Sequence, residues 1–241
     1  MKFKLVLAAA LWTAGLWGAP ITVTIAGPYS NLASAEAART AWLGGAPGMI
    51  LEDFEGFRAA FPGGYTMLPA GIGTFYADPA GQGSAPGNKG TGANEFVILN
   101  SALTPFEGRF NTTPGGSNWL DSNDITNLSL TVGVPASKVY FFMTDAEDVG
   151  AGAQLKISAA SASGAILQQT VSLGDLNNGA VHFVGIHAEG LIQEIRWLNG
   201  QRNDGYGLDQ FGAVVIPEPG TSALIGAGLA GLGLLLRRRR G

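Results

Sequence analysis

The sequence predicts an all-β sandwich with one short helix near its N-terminal side, framed by two apolar ends that carry basic residues. Three observations predict it. Apolar and polar residues alternate through most of residues 21–216, the period of a half-buried strand. Gly, Asn, Asp and Ser separate these runs at the spacing of sandwich turns. The chain of 241 residues is 46% hydrophobic and 13% charged, with 37 Gly, which excludes a solvated, disordered polymer.

Lys2 and Lys4 precede an apolar run from Leu5 to Trp17. That is the charged and apolar order of a secretory signal peptide, and the run is short for a bilayer span. Gly15, Gly18 and Ala19 are small, while Pro20 disfavours a cut directly after Ala19. Residues 1–19 are therefore read as a signal peptide, with cleavage near Gly18.

Residues 20–216 are read as one extracellular β domain. Expected strands cover 21–26, 127–134, 138–144, 153–159, 165–173, 180–188, 191–198 and 209–216. Asn177-Asn178-Gly179 and Asn199-Gly200 are turn sequences. A helix is expected over 31–43, where the chain is Ala-rich and Ser30 can cap it. Residues 78–94 are Gly-rich and polar and read as a long loop.

The tail reads Pro217-Glu218-Pro219, an apolar stretch of 16 residues from Thr221 to Leu236, then Arg237, Arg238, Arg239 and Arg240. As a helix the stretch spans roughly 24 Å, and the four Arg can snorkel to complete a transmembrane helix. A terminal Arg cluster acts as a stop-transfer signal and stays cytoplasmic. The two prolines break the helix on the outer side. Gly226, Gly228 and Gly231 match a dinucleotide fingerprint by pattern, but no βαβ unit surrounds them.

These three ordered features resemble the tripartite PEP-CTERM sorting signal of exported bacterial proteins. The resemblance implies that Pro217, Glu218 and Pro219 are recognition residues for an exosortase-like membrane protease. It also implies a membrane-anchored precursor that ends at the cell surface or in an exopolysaccharide biofilm matrix. The body is similar to extracellular jelly-roll domains, through Asp53-Phe54-Glu55-Gly56-Phe57 near its start and Asp204-Gly205-Tyr206-Gly207-Leu208-Asp209 near its end. Gln210 stands where those domains show a second Asp.

Of 14 basic residues, six lie at the two ends, and of 18 acidic residues one is Glu218, so the body carries eight against 17 and sits near −9. Such a body repels nucleic acid. The absence of Cys excludes disulfides, thiolate metal sites and Cys nucleophiles. His182 and His187, five apart on one strand, point to opposite faces and form no catalytic pair. No motif of nucleophilic, metal or nucleotide chemistry is present, so a non-enzymatic role is expected, with no certain cofactor.

Side-by-side first and last strands would bring Glu55 to Asp209. Those carboxylates, with Asp53 and loop carbonyls, could supply oxygens to a structural Ca²⁺, which takes about 6–8; the alternative is that they are caps, turn formers and solvated acids. Asp121, Asp124, Asp145, Glu147 and Asp148 lie in loop-like stretches and allow the same two readings. Glycan binding is the rival function, because sugar faces stack on rings. Trp42, Trp119, Trp197, Tyr76 and Tyr206 are the candidates. Trp119 leads because it follows the polar segment Gly115-Gly116-Ser117-Asn118, whereas Trp197 reads as core. A glycoside hydrolase, which needs a carboxylate pair, is the remaining alternative. Asn111-Thr112-Thr113 and Asn127-Leu128-Ser129 match glycosylation sequons by pattern only.

Overall fold

A computed structural model describes residues 21–59, 63–77, 95–101, 108–123, 125, 127–146, 152–173, 179–198 and 205–216. Among them, two antiparallel sheets face each other. The first holds β1 (Ile21–Tyr29), β2 (Met49–Glu52), β5 (Val97–Asn100), β6 (Asn118–Asp121), β8 (Ala136–Thr144), β11 (Val181–Ala188) and β13 (Gly207–Val215). Its order is β1-β11-β8-β13-β6-β5, with β2 also on β13. The second holds β3 (Met67–Ala70), β4 (Gly73–Ala77), β7 (Asn127–Val132), β9 (Gln154–Ala160), β10 (Ile166–Ser172) and β12 (Leu191–Leu198). Its order is β10-β9-β12-β7-β4-β3. The predicted two-sheet sandwich is therefore the observed one.

Alternation produces the core. In β9 every second side chain is buried, and β12 does the same on either side of an irregularity between Ile192 and Glu194, so each strand gives one face to the interior and one to solvent. Phe54, Phe75, Phe141, Trp197 and Phe211 meet at the centre. The Phe211 ring centroid lies 5.0 Å from that of Phe141 and 5.1 Å from that of Phe75. Trp197 is fully buried beside Phe141 at 5.2 Å, the core position its sequence context predicts.

The helix α1 (Leu32–Leu43) covers the outer face of β8 and β11. Its cap is Asn31, not Ser30: Asn31 Oδ1 accepts the Ser34 N–H at 2.9 Å, as a short acceptor one turn ahead should. Gly44 ends the helix at φ 59°, a left-handed conformation that Gly adopts without steric cost. With α1 on one side and the core on the other, β8 and β11 are buried on nearly every residue. Trp42 lies across Gly185, where an added Cβ would sit 2.5 Å from the indole.

The first strand does not neighbour the last. β1 pairs with β11, and β13 takes β2 beside it, with Glu52 opposite Phe211. Strands β2 to β6 are short, and none was legible as a separate run. No helix among the described residues is long and apolar enough to cross a membrane. Residues 1–19, read as a signal peptide, residues 78–94, read as a loop, Asp124, Glu147, Asp148, Asp204 and the whole tail from Pro217 lie outside the described residues.

Candidate functional site

Beyond Glu52 the chain turns sharply through Asp53, Phe54 and Glu55. Glu52 Oε1 accepts the Phe54 N–H at 2.7 Å, and Asp53 Oδ1 accepts the Glu55 N–H at 3.1 Å. Phe54 takes φ 60°, which drops its ring into the core and leaves Glu55 against residues 111–118. Glu55 Oε1 there accepts the N–H groups of Ser117 and Asn118 at 2.7 Å each.

Asp209 does the same work from β13. Its Oδ2 accepts the Thr112 N–H at 2.7 Å, the Thr112 hydroxyl at 3.0 Å and the Thr113 N–H at 3.0 Å. Its Oδ1 accepts the Gln210 N–H at 2.7 Å. Gln210, at φ 50°, donates its amide to the Thr112 carbonyl and accepts from Arg39 Nη1 at 2.5 Å. Burial pushes the Asp209 carboxyl up to about 7, against the opposing pull of the bonds from Thr112, Gln210 and Thr113.

Glu55 and Asp209 thus converge, through a residue the sequence did not single out for this role. Asn111 Nδ2 donates to Glu55 Oε1 at 3.0 Å and to Asp209 Oδ2 at 3.3 Å. The oxygens facing this junction are occupied by N–H and O–H donors, so the pair pins the 111–118 segment as backbone acceptors. Asp53 is spent on its own turn. Among the described residues no group of three or more His, Asp or Glu is gathered as metal ligands. The sequon-like Asn111-Thr112-Thr113 is itself the pinned segment.

Trp119 is 1% exposed. Glu55 anchors Ser117 and Asn118 where β6 begins, and the ring packs with Val97 and Leu99. It offers no face to a sugar, which corrects the expectation of an exposed ring. Tyr206 is buried too, and Trp42 is half-buried against Tyr140 and Phe183. Tyr76, 37% exposed on β4, is the candidate aromatic that faces solvent. His182 is buried and its pKa is lowered by that burial, so it is neutral. His187 lies on the opposite side of β11, as the strand period requires.

Two of the loop acids have a structural partner. Arg109 Nη1 lies 3.2 Å from Asp121 Oδ1, and its Nε lies 3.1 Å from Asp145 Oδ2. All three side chains are at most 10% exposed. One planar guanidinium thereby ties the end of β6 to the end of β8.

The outer face of the second sheet is open and polar. Thr170 stands opposite Lys156, Lys156 opposite Arg196, Arg196 opposite Ser129, Ser129 opposite Tyr76 and Tyr76 opposite Met67. The adjoining row runs Gln168, Ser158, Glu194, Thr131 and Thr74. Over β10, β9 and β12 this face hollows into a trough of about 350 Å³. Arg196 Nε contacts Glu194 Oε1 at 2.9 Å there.

Residues 215–240 match the family model of the PEP-CTERM protein-sorting motif. Pro217, Glu218, Pro219 and the four terminal Arg all lie inside that match. No curated protein matches the chain. Among solved structures, the K2 cleaved adhesin domain of Lys-gingipain is 14% identical at a TM-score of 0.34, over 70% of this chain and 98% of that one. The family 11 carbohydrate-binding module of cellulosomal cellulase Lic26A-Cel5E of Clostridium thermocellum is 9% identical at 0.31, over 71% and 96%. TmCBM61 in complex with β-1,4-galactotriose is 13% identical at 0.24, over 48% and 79%. At these identities and scores they are likenesses only.

Proposed function

We propose that this chain is an exported, non-catalytic protein of the bacterial surface or exopolysaccharide matrix. It is made as a membrane-anchored precursor and processed at its C-terminal signal by an exosortase-like membrane protease. The match of residues 215–240 to the PEP-CTERM sorting motif carries this reading. Residues 1–19 direct export, the apolar segment holds the tail in the inner membrane, and Arg237 to Arg240 remain cytoplasmic. β13 ends at Val215, so the signal departs directly from a strand anchored within the first sheet. The test is Pro217→Ala with Glu218→Ala in a host that makes such a protease. The expected result is a full-size chain retained in the membrane fraction. Wild-type processing and location would overturn the sorting role.

A second reading, that the β domain binds glycan, is favoured by the polar trough and by Tyr76, two strands beyond it on the same face. Amide, hydroxyl and charged groups in register suit sugar hydroxyls, and an exposed ring suits a sugar face. The trough holds a single carboxylate, Glu194, already paired with Arg196, whereas glycoside hydrolysis uses two flanking carboxylates. Binding without cleavage is therefore the reading of this face.

A further inference from the structure

We infer that the trough on the second sheet takes an acidic polysaccharide, with sugar carboxylates against Lys156 and Arg196 and a sugar face against Tyr76. This rests on the glycan-binding reading and names its substrate class.

Charge placement carries the inference. The body is near −9 and has eight basic residues. Arg109 lies between Asp121 and Asp145. Arg39 contacts Glu36 and lies over the rings of Tyr140 and Phe142, and Lys138 lies over Trp42. Lys156 and Arg196 stand directly opposite each other in the floor of a concave face. Both are exposed. Glu194 holds the Arg196 guanidinium along the sheet through Nε, which presets its orientation for a planar carboxylate. The local balance is one net positive charge on an acidic protein.

The neighbours favour sugar over other polyanions. Gln168, Ser158 and Thr170 line the same trough, and Gln168 stands opposite Ser158, giving neutral donors and acceptors one strand spacing, about 4.8 Å, apart. Tyr76 sits in the same cross-strand row as Lys156, beyond Arg196 and Ser129. Three strand spacings separate them, roughly 14 Å, so one ligand must be extended to reach both. A chain of hexuronates has that length, charge and ring face together.

The experiment titrates the full-length chain, purified in detergent, with polygalacturonate, neutral dextran and inorganic polyphosphate at low and high salt. Polygalacturonate should bind at least tenfold tighter than either other polymer, and weaken with salt. Lys156→Gln, an exposed change that leaves the core intact, should weaken it roughly tenfold, as loss of a charge-assisted bond does. Tyr76→Ala should weaken it as well. Equal binding of polygalacturonate and dextran, both lost in Tyr76→Ala, would overturn the acidic preference and keep the glycan reading. No binding of either sugar polymer would overturn both. Polyphosphate binding as tight as polygalacturonate would reduce the face to a general cation patch and overturn the inference. So would wild-type affinity in Lys156→Gln, or a trough closed by a second copy of the chain in solution.

Discussion

Asp209 holds Thr112 at two points, taking its backbone N–H at 2.7 Å and its hydroxyl at 3.0 Å. The bond pair joins the last strand to a segment nearly a hundred positions earlier, inside a dry environment. Burial raises the Asp209 pKa from 3.8 to about 7. A carboxyl raised in the folded state binds its proton more tightly there than in the unfolded chain. Its contribution to stability is therefore full below pH 4 and is lost as pH climbs through 7. The span of the shift sets the size, at most about 4 kcal/mol. His182, buried and neutral, acts oppositely, since its lowered pKa removes stability as pH falls below its unfolded value. Subtracting Asp209→Asn from wild type isolates the Asp209 share. The difference in unfolding free energy should change progressively from pH 4 to 7; a flat difference would refute the assignment.

Glu55 anchors two backbone N–H groups with one oxygen. Glu55→Ala leaves those of Ser117 and Asn118 without an acceptor, and Asn118 is 6% exposed. An orphaned buried donor costs about 1–3 kcal/mol. Denaturant unfolding should show a loss of that size with an unchanged slope. Hydrogen exchange at Ser117 and Asn118 should accelerate in the same variant. Glu55→Gln keeps one acceptor oxygen and should lose less.

Strands of six or more residues bounded by turn residues were legible whether one face is wet, as in β9, or both are covered, as in β8 and β11. β9, β10 and β12 alternate because their outer residues meet solvent. β5 and β6 escaped because Val97-Ile98-Leu99 shows no alternation and because Asn118 and Asp121 look like loop residues. Their polarity is real but internally paired, to the carbonyls of Phe54 and Phe57 and to Arg109. The same pairing explains Trp119: its polar neighbours signalled surface, while Glu55 had drawn them inside. Glu55 and Asp209 were expected to approach, yet Asn111 between them carried no signal beyond a sequon pattern. The trough was illegible for a different reason. Lys156, Arg196 and Tyr76 sit on three strands, and only strand order places them in one row.

Gly185 is the seat of Trp42. An added Cβ would meet Cε2 of the indole at 2.5 Å, so Gly185→Ala must displace the ring. The indole would leave Phe183, 5.7 Å away, and the Lys138 ammonium, 5.0 Å away. Overpacking of this kind costs roughly 1–3 kcal/mol. The main sandwich core lies on the other side of β11 and should persist. The expected outcome is a lowered melting temperature with tryptophan emission shifted to the red, as Trp42 gains water. A variant with wild-type emission would show that α1 does not dock on Gly185.

Arg109 bridges two acids that have no room to be hydrated. Asp121 is 1% exposed and Asp145 is 4% exposed. Asp121 also takes the Asn123 N–H at 2.8 Å, and Asp145 takes the Gly179 N–H at 3.3 Å. Arg109→Met keeps the length of the side chain and deletes the charge, leaving two carboxylates buried without their shared cation. Breaking a buried ion pair on one side costs about 3–5 kcal/mol. Arg109→Lys keeps the charge but cannot point two nitrogens along both bonds at once, so it should fall between wild type and Arg109→Met. Adding Asp121→Asn and Asp145→Asn to Arg109→Met should recover much of the loss, because the acids that required compensation are gone. Equal stability of Arg109→Met and wild type at neutral pH would mean that this cluster is solvated in solution and does not tie β6 to β8.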